Sequence, residues 1–98
     1  VYLTAKERKI APELYRMLCD AKSLVESGER DPGKVEEFMA RRVAALKAAE
    51  LDYASAVDGA TLAKPRKLAG DVLLLVAARF GRARLIDNMQ VTVPEAKR

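Results

Sequence analysis

The sequence has no histidine and a single cysteine, Cys19. The commonest general base and the commonest metal-ligating side chain are therefore both missing. One thiol can form neither an internal disulfide nor a CxxC-type metal site. Aromatic residues are scarce, 3 tyrosines and 2 phenylalanines, and no RNP-like or zinc-finger pattern runs through the chain. The longest unbroken apolar run, Val72 to Ala78, falls well short of the about 20 residues that span a bilayer, so no membrane partner is expected. Residues 1–25 are amphipathic and charged throughout, unlike a secretory signal, and a cytoplasmic location is expected. Gly59, Gly70 and Gly81 stand alone, and neither a GxGxxG nor a Walker-type phosphate loop is present.

What remains is an ordinary globular composition. The 98 residues are 50% hydrophobic and 33% charged, one domain's worth of chain, able to bury roughly 60–70% of the surface it exposes when unfolded. The net charge of +4 raises nucleic-acid binding as one reading. The charges, however, are spread along the chain, with two small concentrations: Lys64-Pro65-Arg66-Lys67, and Arg79, Arg82 and Arg84. Solvated loops, together with a face that meets another domain or an anionic ligand, explain them more simply, and no nucleic-acid partner is expected.

The pattern is helical first and strand-like afterwards. Thr4 and Glu7 have the spacing of a capping box. Pro12 lacks the N–H that would bond to the Arg8 carbonyl, so the expectation is a short helix over about residues 4–10 and a new one with Pro12 in its first turn. Ile10, Leu14, Met17, Leu18, Ala21, Leu24 and Val25 recur at helical spacing, and Gly28 is a natural stop. On a wheel of about 100° per residue, Cys19 falls roughly opposite this stripe and is expected to be a partly exposed thiol or a contact with another domain. A second helix opens at Asp31, an N-cap, with Pro32 at the first helical position. Val35, Phe38, Met39, Val43 and Leu46 form its apolar side, with Glu36, Glu37, Arg41 and Arg42 opposite and Glu37–Arg41 as an i,i+4 pair.

From Leu51 the period shortens to two. Leu51, Tyr53 and Val57 are expected on one face of a strand, with Asp52, Ala54 and Ala56 on the other. Asp58 to Leu62 reads as a turn, or a single helical turn capped by Asp58. Lys64 to Gly70 reads as a polar, proline-containing loop and the most mobile internal segment. A second strand is expected over about Asp71 to Phe80, apolar enough for a central place in a sheet or burial on both faces. Gly81-Arg82 can make a hairpin turn that wants glycine first. A third strand follows from Arg84 to about Val93, bent at Asp87-Asn88 and ended by Pro94. Helices followed by strands give an α+β order. The expected architecture is a two-layer sandwich: a small three-stranded antiparallel sheet with helices packed on one face.

The 14 carboxylates offer no pair that stands out as an acid–base couple. Asp87 and Asn88, close to Arg84, are the best candidates, against the plainer reading of an Asx-type turn or bulge with an internal Arg–Asp pair. Taken residue by residue, the chain is an α+β domain without an evident active site.

A resemblance adds to this. Tyr2-Leu3-Thr4-Ala5-Lys6-Glu7-Arg8, Leu14-Tyr15, Gly28-Glu29-Arg30, Leu51-Asp52-Tyr53, Val57-Asp58, Leu74-Leu75-Val76-Ala77-Ala78-Arg79-Phe80-Gly81 and Arg84-Leu85-Ile86-Asp87-Asn88 together resemble the C-terminal domain of the pantothenate synthetase (pantoate–β-alanine ligase) family, in order over nearly the whole chain. The resemblance implies an enzyme that condenses pantoate and β-alanine through a pantoyl-adenylate, using ATP and Mg²⁺ and releasing AMP and pyrophosphate. It also implies an N-terminal Rossmann domain carrying a His-x-Gly-His motif and a Ser-Ser-Arg-Asn segment, and a homodimeric full-length protein. Residues 1–98 contain neither motif, and no catalytic, cofactor-binding or metal-binding residue of the family maps onto them. They are expected to be a single C-terminal domain that closes as a lid over its own N-terminal Rossmann domain, inactive and cofactor-free in isolation. Arg79, Arg82 and Arg84 are then expected to face phosphates or the acidic rim of the partner domain. A free-standing binding or regulatory module on the same fold is the alternative.

Overall fold

A first helix, α1, runs unbroken over Ala5–Glu26 with Pro12 inside it. The structure is a computed structural model and describes residues 5–46 and 49–94. The expected break at Pro12 therefore does not occur, and the capping box that rests on Thr4 lies outside the described residues. Pro12 is exposed, whereas Ile10, Leu14, Met17 and Leu18 continue one stripe into the core. A proline on the solvent side costs one helical bond, to the Arg8 carbonyl, in the part of the backbone that water can satisfy. Packing of the stripe on both sides of it outweighs that loss. The helix ends as the sequence implies: the Glu29 amide donates to the Leu24 carbonyl and the Gly28 amide to that of Val25, both 3.1 Å. This is a Schellman pair, and Gly28 has φ +133°, a conformation that side chains rarely adopt.

Helix α2 spans Pro32–Ala44. The Asp31 carboxylate accepts from the Gly33 amide at 2.9 Å, Pro32 occupies the first turn, and Glu37 pairs with Arg41, as expected. Val35, Met39 and Val43 are fully buried, with Phe38 and Leu46 packed at the margin. Glu36 does more than solvate the outer side of the helix. Its carboxylate accepts from the Ala56 amide at 3.1 Å and from Lys64 Nζ at 2.7 Å, satisfying a strand N–H and tying the helix to it. Arg42 and Asp20 join the two helices at 2.6 Å.

Three strands follow, β1 (Ala49–Asp58), β2 (Asp71–Phe80) and β3 (Ala83–Thr92), in the order β1-β2-β3. Both pairings are antiparallel. The central β2 matches the expected bounds, and its side chains at 72, 74, 76, 78 and 80 enter one core with α1 and α2. Both helices thus lie on the same side of the sheet, and the α+β two-layer arrangement is the fold observed.

In β1 the expected faces are corrected at Leu51 and Asp52. The register shifts between Leu51 and Tyr53, a β-bulge that reverses the alternation. Leu51 pairs with core-facing Ala78, but Tyr53 pairs with Ala77 on the other side. Beyond the bulge the expected division holds: Ala54 and Ala56 reach the core, while Tyr53, 36% exposed, and Val57 share the other side. In β3 the expected bend is absent, because pairing runs without interruption from Ala83 to Thr92. The Lys64–Gly70 loop is anchored. Leu68 is buried, its amide donates to the Arg30 carbonyl at 2.7 Å, and the Gly70 carbonyl accepts from Val93. Arg30 in turn reaches the Val25 carbonyl at 2.7 Å and the Pro94 carbonyl at 3.4 Å, so one guanidinium closes the far end of the domain. Among the described residues no helix is long and apolar enough to cross a membrane.

Candidate functional site

The β2–β3 hairpin turns on two residues. Gly81 has φ +60° and Arg82 is not among the positive-φ residues, the pattern of the glycine-first turn expected from the sequence. The turn places Arg79 and Arg84 directly opposite each other across the strand pair, on the face away from the helices. Two like charges in register repel. The bulge in β1 supplies what offsets them: Asp52. Arg84 Nε donates to Asp52 Oδ2 at 2.7 Å, and Arg79 Nε lies 3.5 Å from the same oxygen. The Arg84 hydrogen bond is the largest influence on the Asp52 carboxyl; against the opposing effect of burial, and helped by the charges of Arg79 and Arg84, it holds the carboxyl below its ordinary range. Arg84 also lies 6.0 Å from the centroid of the Tyr53 ring, within cation–π range.

Arg82 sits exposed at the tip of the turn, and no hydrogen bond or ion pair joins it to another described residue. Together Arg79, Gly81, Arg82, Ala83 and Arg84 line an open pocket of about 410 Å³. Asp52 is not the only carboxylate on this face, since Glu50 pairs in register with Arg79; three guanidiniums against two carboxylates still leave positive charge in excess. The other basic cluster does not join them, since Lys64 is committed to Glu36.

The remaining candidates separate. Asp87 and Asn88 lie on opposite faces of β3: Asp87 pairs in register with core-side Val76, and Asn88 with Leu75. Asp87 accepts from the Asn88 amide at 2.8 Å, and Arg84 turns to Asp52 instead, so the expected Arg84–Asp87 pair is not formed. Cys19 is half-buried and free, in keeping with its place on the wheel. The nearby Tyr15 hydroxyl is pushed above its ordinary pKa, chiefly by Cys19 and less by burial and the charge of Asp87. Among the described residues no three His, Cys, Asp or Glu side chains converge where a metal could be held. The residue that sequence reasoning missed is Asp52. Strict alternation assigns it to the helix side of the sheet, and nothing local in Leu51-Asp52-Tyr53 announces the extra residue.

The packing of α1 along β3 and the contact of Arg30, just after α1, with Pro94 at the end of β3 away from the hairpin fix the direction of α1. It starts beside the hairpin and runs away from it along β3.

The sequence matches the family profile described as pantoate-beta-alanine ligase over residues 1–90. The chain belongs to this family. Pantothenate synthetase of Bacillus subtilis is 41% identical over 98 residues, all of this chain and 34% of that protein. Pantothenate synthetase 2 of Frankia alni is 44% identical over 96% of this chain and 28% of its own length. Among solved structures, pantothenate synthetase from Thermus thermophilus superposes with a TM-score of 0.79 at 31% identity, over 90% of this chain and 32% of that one. The chain thus spans about a third of the length of the pantoate–β-alanine ligase relatives it matches.

Proposed function

We propose that this chain is the C-terminal lid domain of an ATP-dependent ligase that joins pantoate and β-alanine into pantothenate through a pantoyl-adenylate. The observation that carries the reading is the match itself: a domain with its own complete core corresponds in order to about one third of pantothenate synthetases. The Rossmann domain that the resemblance implies supplies the acyl-activation chemistry, with ATP and both substrates bound there. The Mg²⁺ that the resemblance also implies does not fit a site on the described residues, and no step is assigned to these residues through it.

The part of this domain is exclusion and closure. An acyl-adenylate is destroyed by water, and a rigid cover that shuts over the cleft protects it until the amine attacks. The α+β sandwich suits this role because its helix layer and sheet form one packed unit that can move as a body. The start of α1 toward the hairpin end of the sheet supports a hinge at that end, so the basic edge would turn toward the phosphate-handling side of the cleft. Isolated, the domain is inactive on this reading.

The test is a chimera in which this chain replaces the matching third of the Bacillus subtilis relative. Pantothenate formation in the chimera, and none by the 98-residue chain alone, is the expected result. A chimera that folds but makes no pantothenate, or a lone chain that makes it, would remove the reading.

A further inference from the structure

We propose that the β2–β3 hairpin is a preorganised site for a phosphate-bearing ligand, with Arg79, Arg82 and Arg84 as donors and Asp52 as a positioning residue. The inference rests on the Proposed function only for the identity of the natural ligand, a nucleotide's polyphosphate tail. The geometry argues for the site by itself. Both Arg79 and Arg84 address the same Asp52 oxygen through Nε. A guanidinium carries five N–H donors in a rigid plane, so each arginine keeps its terminal Nη groups for another acceptor while Asp52 fixes the plane in which they lie. That is how a carboxylate prepares arginines for bidentate contact with phosphate oxygens. Arg82 adds a guanidinium with no partner among the described residues, on the two-residue turn between them. The pocket of about 410 Å³ that the five hairpin residues line is of ligand-site size.

The structural cost of the arrangement points the same way. Arg79 and Arg84 face each other in register, and an extra residue is inserted in β1 beside them. A sheet needing only stability would be served by an apolar or oppositely charged pair at 79 and 84. With Glu50 across from Arg79 and Asp52 brought in by the bulge between Arg79 and Arg84, Arg82 is the guanidinium left unneutralised, and the turn that carries it makes an anion receptor.

The experiment is calorimetric titration of the 98-residue chain with tripolyphosphate, ATP and adenosine at low and at moderate salt. Saturable one-to-one binding of tripolyphosphate and ATP, and none of adenosine, is expected; tighter binding of ATP than of tripolyphosphate assigns the site to a nucleotide. Arg82→Ala, at an exposed turn position that the fold does not depend on, should weaken both roughly fivefold. Asp52→Asn decides the matter. It makes the hairpin more positive, so a purely electrostatic patch would bind more tightly. A preorganised site binds more weakly, because Arg79 and Arg84 lose their common anchor. Amide NMR spectra of each variant establish that the sheet is intact. Non-saturating binding, indifference to Arg82→Ala, or equal or tighter binding by folded Asp52→Asn would overturn the proposal. Failure of the chimera to make pantothenate leaves these measurements untouched, so the two readings fall separately.

Discussion

Asp58 shows how one side chain can carry both a turn and a pH response. Its Oδ1 accepts from the Ala60 and Thr61 amides, each at 2.9 Å, and from the Thr61 hydroxyl at 3.3 Å. The Thr61 and then the Ala60 backbone hydrogen bonds hold its carboxyl below the ordinary value of 3.8, and Asp52 is held below the same value by its arginines. A carboxyl depressed in the folded state stabilises the fold fully above its unfolded pKa, and that contribution disappears as pH falls through the folded value. Urea melts between pH 7 and 2 should therefore show a plateau, then a loss of stability beginning near about pH 4. Asp58→Asn keeps an oxygen acceptor and the turn but cannot titrate, so its acid slope should be shallower than that of the parent. An unchanged slope would assign the acid response elsewhere. The Asp58-Gly59 turn was readable in the sequence because aspartate and glycine have local reasons to be there. Leu62, with φ +62° and largely exposed, was not, since a left-handed leucine contradicts its own preference and is set by the Leu62–Asp58 and Asp58–Ala63 backbone bonds around it.

At the scale of elements, legibility followed the range of the forces involved. The start of α2 and the end of α1 are decided within a few residues, by Asp31-Pro32 and by Gly28, and both came out as read. The centrality of β2 was visible in its continuous apolar run. The continuity of α1 was not, because the penalty at Pro12 is local while its compensation, the packing of Ile10 and Leu14 on one core, is tertiary. Replacing Pro12 by Ala restores the missing N–H on an exposed face, and should stabilise the domain by ~1–3 kcal/mol. Thermal melts and far-UV circular dichroism would register it as a higher midpoint with slightly more helix. A lower midpoint would mean that the helix needs a proline-induced bend to reach β3. The faces of Leu51 and Asp52 in β1 were misread for a related reason. Period-two counting holds only while the strand is regular, and the bulge at Asp52 answers to arginines about thirty residues away in sequence.

Across the whole molecule, the sheet has two unlike sides. The helix side is dry: Leu74 and Val76 are fully buried with Met39, Leu18 and Val43. The opposite side carries Leu73 and Leu75 half-buried, and Ile86 is 58% exposed. Adjacent leucines on β2 therefore report on different sides. Leu74→Ala should cost ~3 kcal/mol or more, a large share of the 5–15 kcal/mol that holds a domain of this kind together. Leu75→Ala should cost about 1 kcal/mol, as only part of its surface leaves water on folding. Chemical denaturation of the two variants tests the layer assignment directly, and equal losses would contradict it. The architecture of the molecule was largely legible because helices and strands came in separate runs. The arginine site was only half so. Its three arginines cluster in sequence and invited attention, but their carboxylate comes from another strand and could be found only in three dimensions.

The bulge also divides β1 into two stretches with opposite phase. Upstream of Asp52 the odd-numbered side chains point toward the helices, and downstream the even-numbered ones do. Excising that single position would bring the two stretches into step with Ala49, Leu51, Ala54 and Ala56 all still toward the helices, because Leu51 and Tyr53 already face consecutive partners, Ala78 and Ala77. A one-residue gap at this point would thus spare the core and remove only the carboxylate that Arg79 and Arg84 share, so the extra residue answers to the arginines and not to the packing of the sheet.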